Sequence, residues 1–387
     1  MGLFGWRGEG TRAAPGAPER KASATARVSA ALGGGRVAWS PRDAGSLTRA
    51  GFMGNPVGFR AVRLIAEAAA ALPVVLEAEG RRMEAHPALR LLGRPNPEQG
   101  RAELLEALYG HILLSGDGYL EAVGEGLPAE LYALRPERMR AVTGADGWVQ
   151  AWEYAAGGRK ARLAAEAICH VRAFHPLDDH HGLSPMQAAA AAVDVHNSAS
   201  RWSKALLDNA ARPSGAIVHK GPDGAPLTQA QFDRLQAEME AHHQGARNAG
   251  RPMLLEGGLD WKPMGFSPSD MEFQGVKATA AREIATAFGV PPMMLGIPGE
   301  ATYANYAEAN RAFYRLTVLP LAGRALGRVS DWLSRLGGEE IEIRVDLDHV
   351  PALSTEREAR WKRVGESGFL DDDEKRALLG LAPREGE

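Results

Sequence analysis

The sequence predicts an α+β fold in which long helices are joined to short antiparallel strands. Three features carry this expectation. Apolar residues recur at helical spacing through long stretches such as "NPVGFRAVRLIAEAAAALP" and "TYANYAEANRAFYRLTVLPLAGRALGRVSDWLSRL". Short runs such as "PVVLEA", "GWVQAWEYAAG" and "EEIEIRVDL" lie between Gly- or Pro-marked turns and read as strands. Between residues 55 and 175 the strands are short and mixed with helices, a pattern that favours α+β over a doubly wound sheet.

Each element has a local reason. Residues 1–50 are rich in Gly, Ala, Pro and Arg. There Arg7, Arg12, Arg20, Lys21, Arg27, Arg36, Arg42 and Arg49 outnumber Glu9, Glu19 and Asp43, so a flexible basic arm is expected. Val57, Ala61, Leu64, Ile65 and Ala68 then share one helical face, and Pro73 stops that helix. "PVVLEA" is a strand with "GRRM" as its turn. "RAELLEALYGHILLSGDGYLEAV" is a helix broken at residues 116–118 and followed by a strand. "AELYALRPERMRAV" supplies more strands. "SPMQAAAAAVDVHNSASRWSKALLDNA" is a long Ala-rich helix, with Ser184 as N-cap, Pro185 at the first helical position and Gln187 completing a capping box. "GAIVHK" is a strand, and Thr228 with Gln231 opens the next helix, which Gly245 ends. "GRPMLLEGGLDWKPM" reads as a hairpin. Ser267 and Pro268 start a further helix that Pro291 and Pro292 end. Pro320 should kink the long helix that runs to Gly337. After the strand "EEIEIRVDL", two short helices close the chain, the second capped by Asp371 with Glu374.

Composition narrows the class. The chain has 387 residues, room for two or three domains. A net charge of −3 is unlike a dedicated duplex binder, which must neutralise many phosphates. The single cysteine, Cys169, rules out an intramolecular disulfide and suits a reducing compartment such as a bacterial cytoplasm. No apolar run approaches the ~20 residues of a membrane span, and Trp6 breaks the acylation pattern that Gly2 would begin. A soluble protein without a membrane partner is expected.

One stretch looks like metal chemistry. In "HPLDDHHGLSPMQ", Asp178, Asp179, His180 and His181 stand in a row, with Cys169 and His170 just upstream. Ligands must converge in space, however, and adjacent side chains point apart. No HExxH or HxxEH spacing occurs, and the run directly precedes a helix start, where polar residues make turns. His242 and His243 read as a wet helix end. The chain also lacks a phosphate-binding P-loop, a dinucleotide fingerprint and a GxSxG elbow. No cofactor and no enzymatic activity are expected. A metal-dependent hydrolase using Asp178, His180 and His181 stays as the alternative, beside a structural role that long helices and proline-marked joints favour.

The ordered landmarks "HPALRLLGRPNP", "LLSGDGYLEAV", "YALRPERM", "GLSPMQAA", "ARPSGAIV", "SPSDMEF", "REIATAFGVPPMMLGI" and "TYANYAEANRAFYRLTVLP" give the chain a resemblance to the portal proteins of tailed bacteriophages and gene-transfer agents, over about residues 55–352. The resemblance implies a portal fold: an arm (1–50), an α/β wing (51–183), a stem helix (184–213), an α/β clip (214–266), a second stem helix (267–290) and a tunnel loop (291–303). A long wing helix and strand (304–350) and a short helical crown (351–387) follow. It implies a dodecameric ring at one capsid vertex of a virion or gene-transfer particle, assembled in the bacterial cytoplasm. Through that ring DNA is packaged and ejected. The implied partners are the major capsid protein, the large terminase subunit, a head–tail adaptor and double-stranded DNA held without sequence preference. Another head–tail structural protein is the further alternative. On this reading Lys277, Arg282, Pro298, Gly299, Glu300, Ala301 and Asn305 are candidates to face the channel, and Glu300 would repel phosphates.

Overall fold

Asp43 opens the first helical segment, its carboxylate accepting the Ser46 N–H at 2.9 Å. In the computed structural model, which describes residues 39–208, 216–219, 228–242, 259–262, 273–299 and 303–381, α1 (Ala44–Leu47) runs into a wider π-turn (Thr48–Met53). Leu47 is buried, and Ser40 donates from both its N–H and its hydroxyl to Asp194. Residues 40–50, the inner end of the arm expected from sequence, are therefore packed on the fold. The sequence missed this because the partner of Ser40 lies far along the chain. The described residues from Ser40 onward belong to one unit.

Asn55 starts α2 (Pro56–Ala70) by accepting the N–H groups of Val57 and Gly58, and Pro56 needs no partner at the first position. The buried face is Ala61, Val62, Ile65, Ala66, Ala69 and Ala70, while Val57, Leu64 and Ala68 sit at its half-buried flank. Small side chains let α2 lie against α4 (Arg101–Ser115), whose Leu104, Leu105, Leu108 and Ile112 fill the same core. Between them come β1 (Val74–Ala78), β2 (Arg81–Met83) and α3 (Pro87–Gly93), the last capped by the His86 ring. "GRRM" is thus only partly a turn. Glu79 and Gly80, both at positive φ, make the reversal, and Arg81–Met83 pairs with β1.

The next strands are β3 (Asp117–Val123), β4 (Glu130–Leu134), β5 (Met139–Thr143), β6 (Val149–Ala156), β7 (Arg159–Ala164) and β8 (Ile168–Arg172). They form two antiparallel sheets, ordered β4-β3-β8 and β5-β6-β7, with Tyr119, Leu134, Met139, Trp152 and Ile168 packed as a small second core. Ser184 caps the following helix through the Gln187 N–H. It is interrupted at Ala189, giving α5 (Pro185–Ala188) and α6 (Ala190–Asp208). Next come β9 (Ala216–His219), α7 (Gln229–His242) and β10 (Leu259–Lys262). β10 pairs with β9, so the described part of the expected hairpin joins a more distant strand. Helix α8 (Phe273–Ala287) packs beside α6 and α2. The expected cap, Ser267 with Pro268, and the stop at Gly245 lie outside the described residues.

The long C-terminal helix is two helices with a seam. After α9 (Tyr303–Phe313), residues Tyr314–Val318 form a π-turn, and α10 (Leu319–Gly337) carries Pro320 near its start. Proline has no N–H to donate back, so the backbone widens just before it. Ala322, Ala325, Leu326, Val329, Trp332 and Leu333 put the apolar face of α10 into the main core, and Trp332 Nε1 donates to the Glu166 carbonyl at 2.8 Å. Gly338 ends α10 in the left-handed conformation. β11 (Ile341–Val345) then returns to pair antiparallel with β1. Two exposed helices, α11 (Ser354–Gly365) and α12 (Asp372–Leu378), finish the chain, and Asp371 with Glu374 forms both halves of the capping box.

Candidate functional site

Two neighbourhoods combine polar side chains with backbone that the sequence singles out. The first joins α8 to α9. The Arg282 guanidinium donates to the Pro298 carbonyl at 2.7 Å and to Ala278 O one turn back at 3.3 Å. Ile297 is buried against Ala281 and Ala285, with Val57 and Leu295 beside it. Gly289 takes a positive φ, and its carbonyl accepts the Thr317 hydroxyl at 2.6 Å, tying this turn to the π-turn before α10. The segment from Pro291 to Pro298 is therefore fastened to the helices on either side of it.

Of the seven candidate residues, Arg282 and Pro298 are in direct contact, and Gly299 is exposed beside them. Asn305 is exposed in the first turns of α9. Glu300 and Ala301 lie outside the described residues. Lys277 is half-buried on α8, and burial first, then the charge of Lys277, hold His196 of α6 below its ordinary pKa. The ring of His196 meets Asn55 Nδ2 at 3.1 Å. The same amide donates to Asn197 Oδ1 at 2.9 Å, and Asn197 donates in turn to Ala50 O. This polar seam ties α6 to the segment before α2. Sequence reading missed it, because each member is an ordinary helix or cap residue on its own.

The second neighbourhood resolves the "DDHH" stretch. Asp178 Oδ1 accepts the N–H groups of His180 and His181 at 2.7 and 2.9 Å. Asp117 is buried at the start of β3. It accepts from His170 Nε2 at 2.8 Å and the Gly182 N–H at 3.0 Å, and His181 Nδ1 lies 3.5 Å from its second oxygen. The His170 ring stacks on Tyr119 with centroids 4.5 Å apart, and Trp152 meets its edge. Burial pushes the Asp117 carboxyl up, but the hydrogen bonds from both histidines outweigh it and hold the group below its ordinary value. The bond to Asp117 raises His181, partly offset by burial. Gly116 and Gly182 let the two chains touch here, since a Cβ on Gly116 would stand 2.2 Å from Gly182 O. Among the described residues no group of three or more His, Cys, Asp or Glu side chains could hold a metal ion. Asp178, His180 and His181 thus build a capped turn clamped to β3, and no ligand set for a hydrolase forms from them. Cys169 is buried and pushed up to about 12 by that burial, which leaves it inert as a nucleophile.

Helices and small sheets are thus seamed together by buried polar contacts. The chain belongs to the phage portal protein family, whose model matches residues 56–380. A subunit resolved in the neck of an empty gene-transfer-agent particle is 64% identical, with a TM-score of 0.72, over 92% of this chain and 98% of its own. A second, from the neck of a native gene-transfer-agent particle computed with C12 symmetry, is 63% identical, with a TM-score of 0.70, over 93% and 100%. The probable portal protein of Streptomyces phage phiC31 is 25% identical over 84% of this chain and 74% of its own length. The α+β fold is the portal fold, and the family is a structural one. No helix among the described residues is long and apolar enough to cross a membrane.

Proposed function

We propose that this chain is the portal subunit of a gene-transfer or phage particle: twelve copies close into a ring at the unique capsid vertex, and DNA enters and leaves through it. The observation that carries this is near-complete coverage, at 63–64% identity, of subunits in gene-transfer-agent particle necks computed with C12 and C6 symmetry. On this reading the described residues of 51–183 form the wing. Helices α6 and α8 are the stem pair, β9, α7 and β10 the clip, and residues 291–303 the tunnel loop. α9, α10 and β11 complete the wing, and α11 with α12 forms a short crown. The ring would bind the major capsid protein, the large terminase subunit and a head–tail adaptor. It would be assembled in the bacterial cytoplasm and perform no catalysis of its own.

The chemistry fits a conduit. Each cation held to a phosphate adds affinity and friction, and a net charge of −3 keeps that grip weak. The Arg282 charge is anchored to a carbonyl at the base of the loop, so it positions backbone as well as carrying charge. Purified protein imaged by negative stain and weighed as a native assembly is expected to show closed rings with the mass of twelve chains. A monomer at every concentration overturns the reading.

A further inference from the structure

Exposed grooves of opposite character flank the two halves of α10. One, of about 1010 Å³, lies between β6, β8 and the first half of α10, and is lined by Trp148, Trp152, Arg172, Arg324 and Arg328, with Asp146 and Asp179 also present. The three arginines are exposed, and among the described residues none forms an ion pair with a carboxylate; Arg328 donates to the His170 carbonyl instead. Asp146 accepts the Trp148 N–H in its own turn. Around this groove large apolar side chains stand in solvent. Trp148 is 75% exposed, and the loop after β8 carries Phe174 at 80% and Leu177 at 91%. Exposed tryptophan beside unpaired arginine, with apolar neighbours, is the composition of an interface centre.

The other groove lies between the second half of α10 and the β1–β11 pair, and its rim is acidic. Glu79 stands at the tip of the β1–β2 turn and Glu339 and Glu340 in the turn after α10, with Asp331 and Glu342 nearby, all exposed; Arg335, exposed as well, is the one cation in the lining among the described residues. Glu77 is paired with Arg344, and Glu339 meets His86, but Glu79, Glu340, Glu342 and Asp331 have no ion pair among the described residues. The two turns form an acidic knob. Arg324 and the end of α10 are about 20 Å apart at ~1.5 Å per residue. Arg324 therefore cannot reach the glutamates of the two turns in its own chain, although Asp331 stands one turn from Arg328.

We propose that the acidic knob of one copy of this chain docks in the basic, Trp148-lined groove of the next, as a head-to-tail contact of the ring. A closed ring needs two different complementary patches on each subunit, repeated in one direction. This pair meets that requirement with opposite charge and an apolar anchor. The inference rests on the ring reading given above.

The test uses full-length chains and two charge-reversed variants, Arg324→Glu with Arg328→Glu, and Glu79→Arg with Glu340→Arg. All four positions are exposed. Each variant alone is expected to require at least tenfold more protein to form rings, read by native mass spectrometry. A one-to-one mixture of the two should restore rings at the wild-type concentration, since every contact between unlike chains then joins opposite charges. Such rings alternate the two chains, which mass differences reveal. A chain that had failed to fold could not be rescued by mixing. Rings from either variant alone at wild-type concentration overturn the docking proposal and leave the ring reading intact, as does loss in both without rescue on mixing. Wild-type protein that never forms rings overturns both.

Discussion

Asp117 shows how much one buried carboxylate holds in place. Its oxygens meet two imidazoles and a backbone N–H from two points of the chain, His170 on β8 and the His181–Gly182 turn. Removing it leaves Gly182 N–H and His170 without their acceptor. Asp117→Ala is expected to cost about 2–3 kcal/mol, the range for hydrogen bonds to a charged group, read as a lower urea midpoint. The pH dependence has a definite sign. His181 has a raised folded pKa, so its contribution is complete below its unfolded value of about 6.5 and is lost as pH climbs through the folded value. Asp117 has a lowered one, so its contribution is present above about 3.9 and is lost as pH falls through the folded value. The clamp is therefore strongest in mild acid. His111, held at about 4 by burial, acts oppositely and destabilises the fold below pH 6.5. The readout is thus a difference: between about pH 6 and pH 8, the melting temperature of the wild type should fall further than that of His181→Ala. Gly116, at φ +88° and against the Gly182 carbonyl, should tolerate no side chain. Gly116→Ala combines left-handed strain with a backbone clash and is expected to cost roughly 3 kcal/mol in thermal or urea unfolding. None of this could be read from "SGDG" or "DDHH" separately, because a pattern in sequence cannot show which distant loop a carboxylate will meet.

Helix starts were legible because their causes are local. Ser184, Thr228 and the Asp371–Glu374 pair bond within three residues of themselves; Thr228 and Asp371 form both halves of their boxes, while Ser184 caps through the Gln187 N–H. Strand partners were not, since β11 joins β1 across most of the chain and Arg81–Met83 became a strand only because β1 lay beside it. The kink at Pro320 was expected, but its form as a π-turn came from the chain widening upstream of the missing donor. Helix α10 carries the largest single anchor. Trp332→Ala should cost about 3–5 kcal/mol, the range for emptying a large aromatic site in a core, and should lower the urea midpoint without changing the folded helix content. The α8–α9 connection makes the opposite prediction. Its described part is fastened by Arg282 and Ile297, so deleting residues 299–301 is expected to leave rings intact while particles lose full-length DNA. Native mass spectrometry and sizing of encapsidated DNA check the two halves. Monomers would make the segment an interface element, and unchanged packaging would make it a plain linker.

At the scale of the molecule, the portal class was legible because many weak landmarks occur in one order, whereas contacts between distant segments were not, because they depend on neighbours in three dimensions. The Asn55–His196–Asn197 seam is the clearest case. The inner end of the N-terminal segment is another. A chain beginning at Thr48 should be less stable than one beginning at Trp39 by about 2–3 kcal/mol, since it lacks buried Leu47 and the Ser40–Asp194 bonds, and differential melting would measure it. One consequence follows from β1 pairing with β11. A ribosome adding 5–20 residues per second makes β1 tens of seconds before its partner, so that edge waits unpaired through most of synthesis. A truncated product that stops before residue 341 can never close that sheet. Such a chain keeps an open strand edge, which favours pairing with another chain over the native closure.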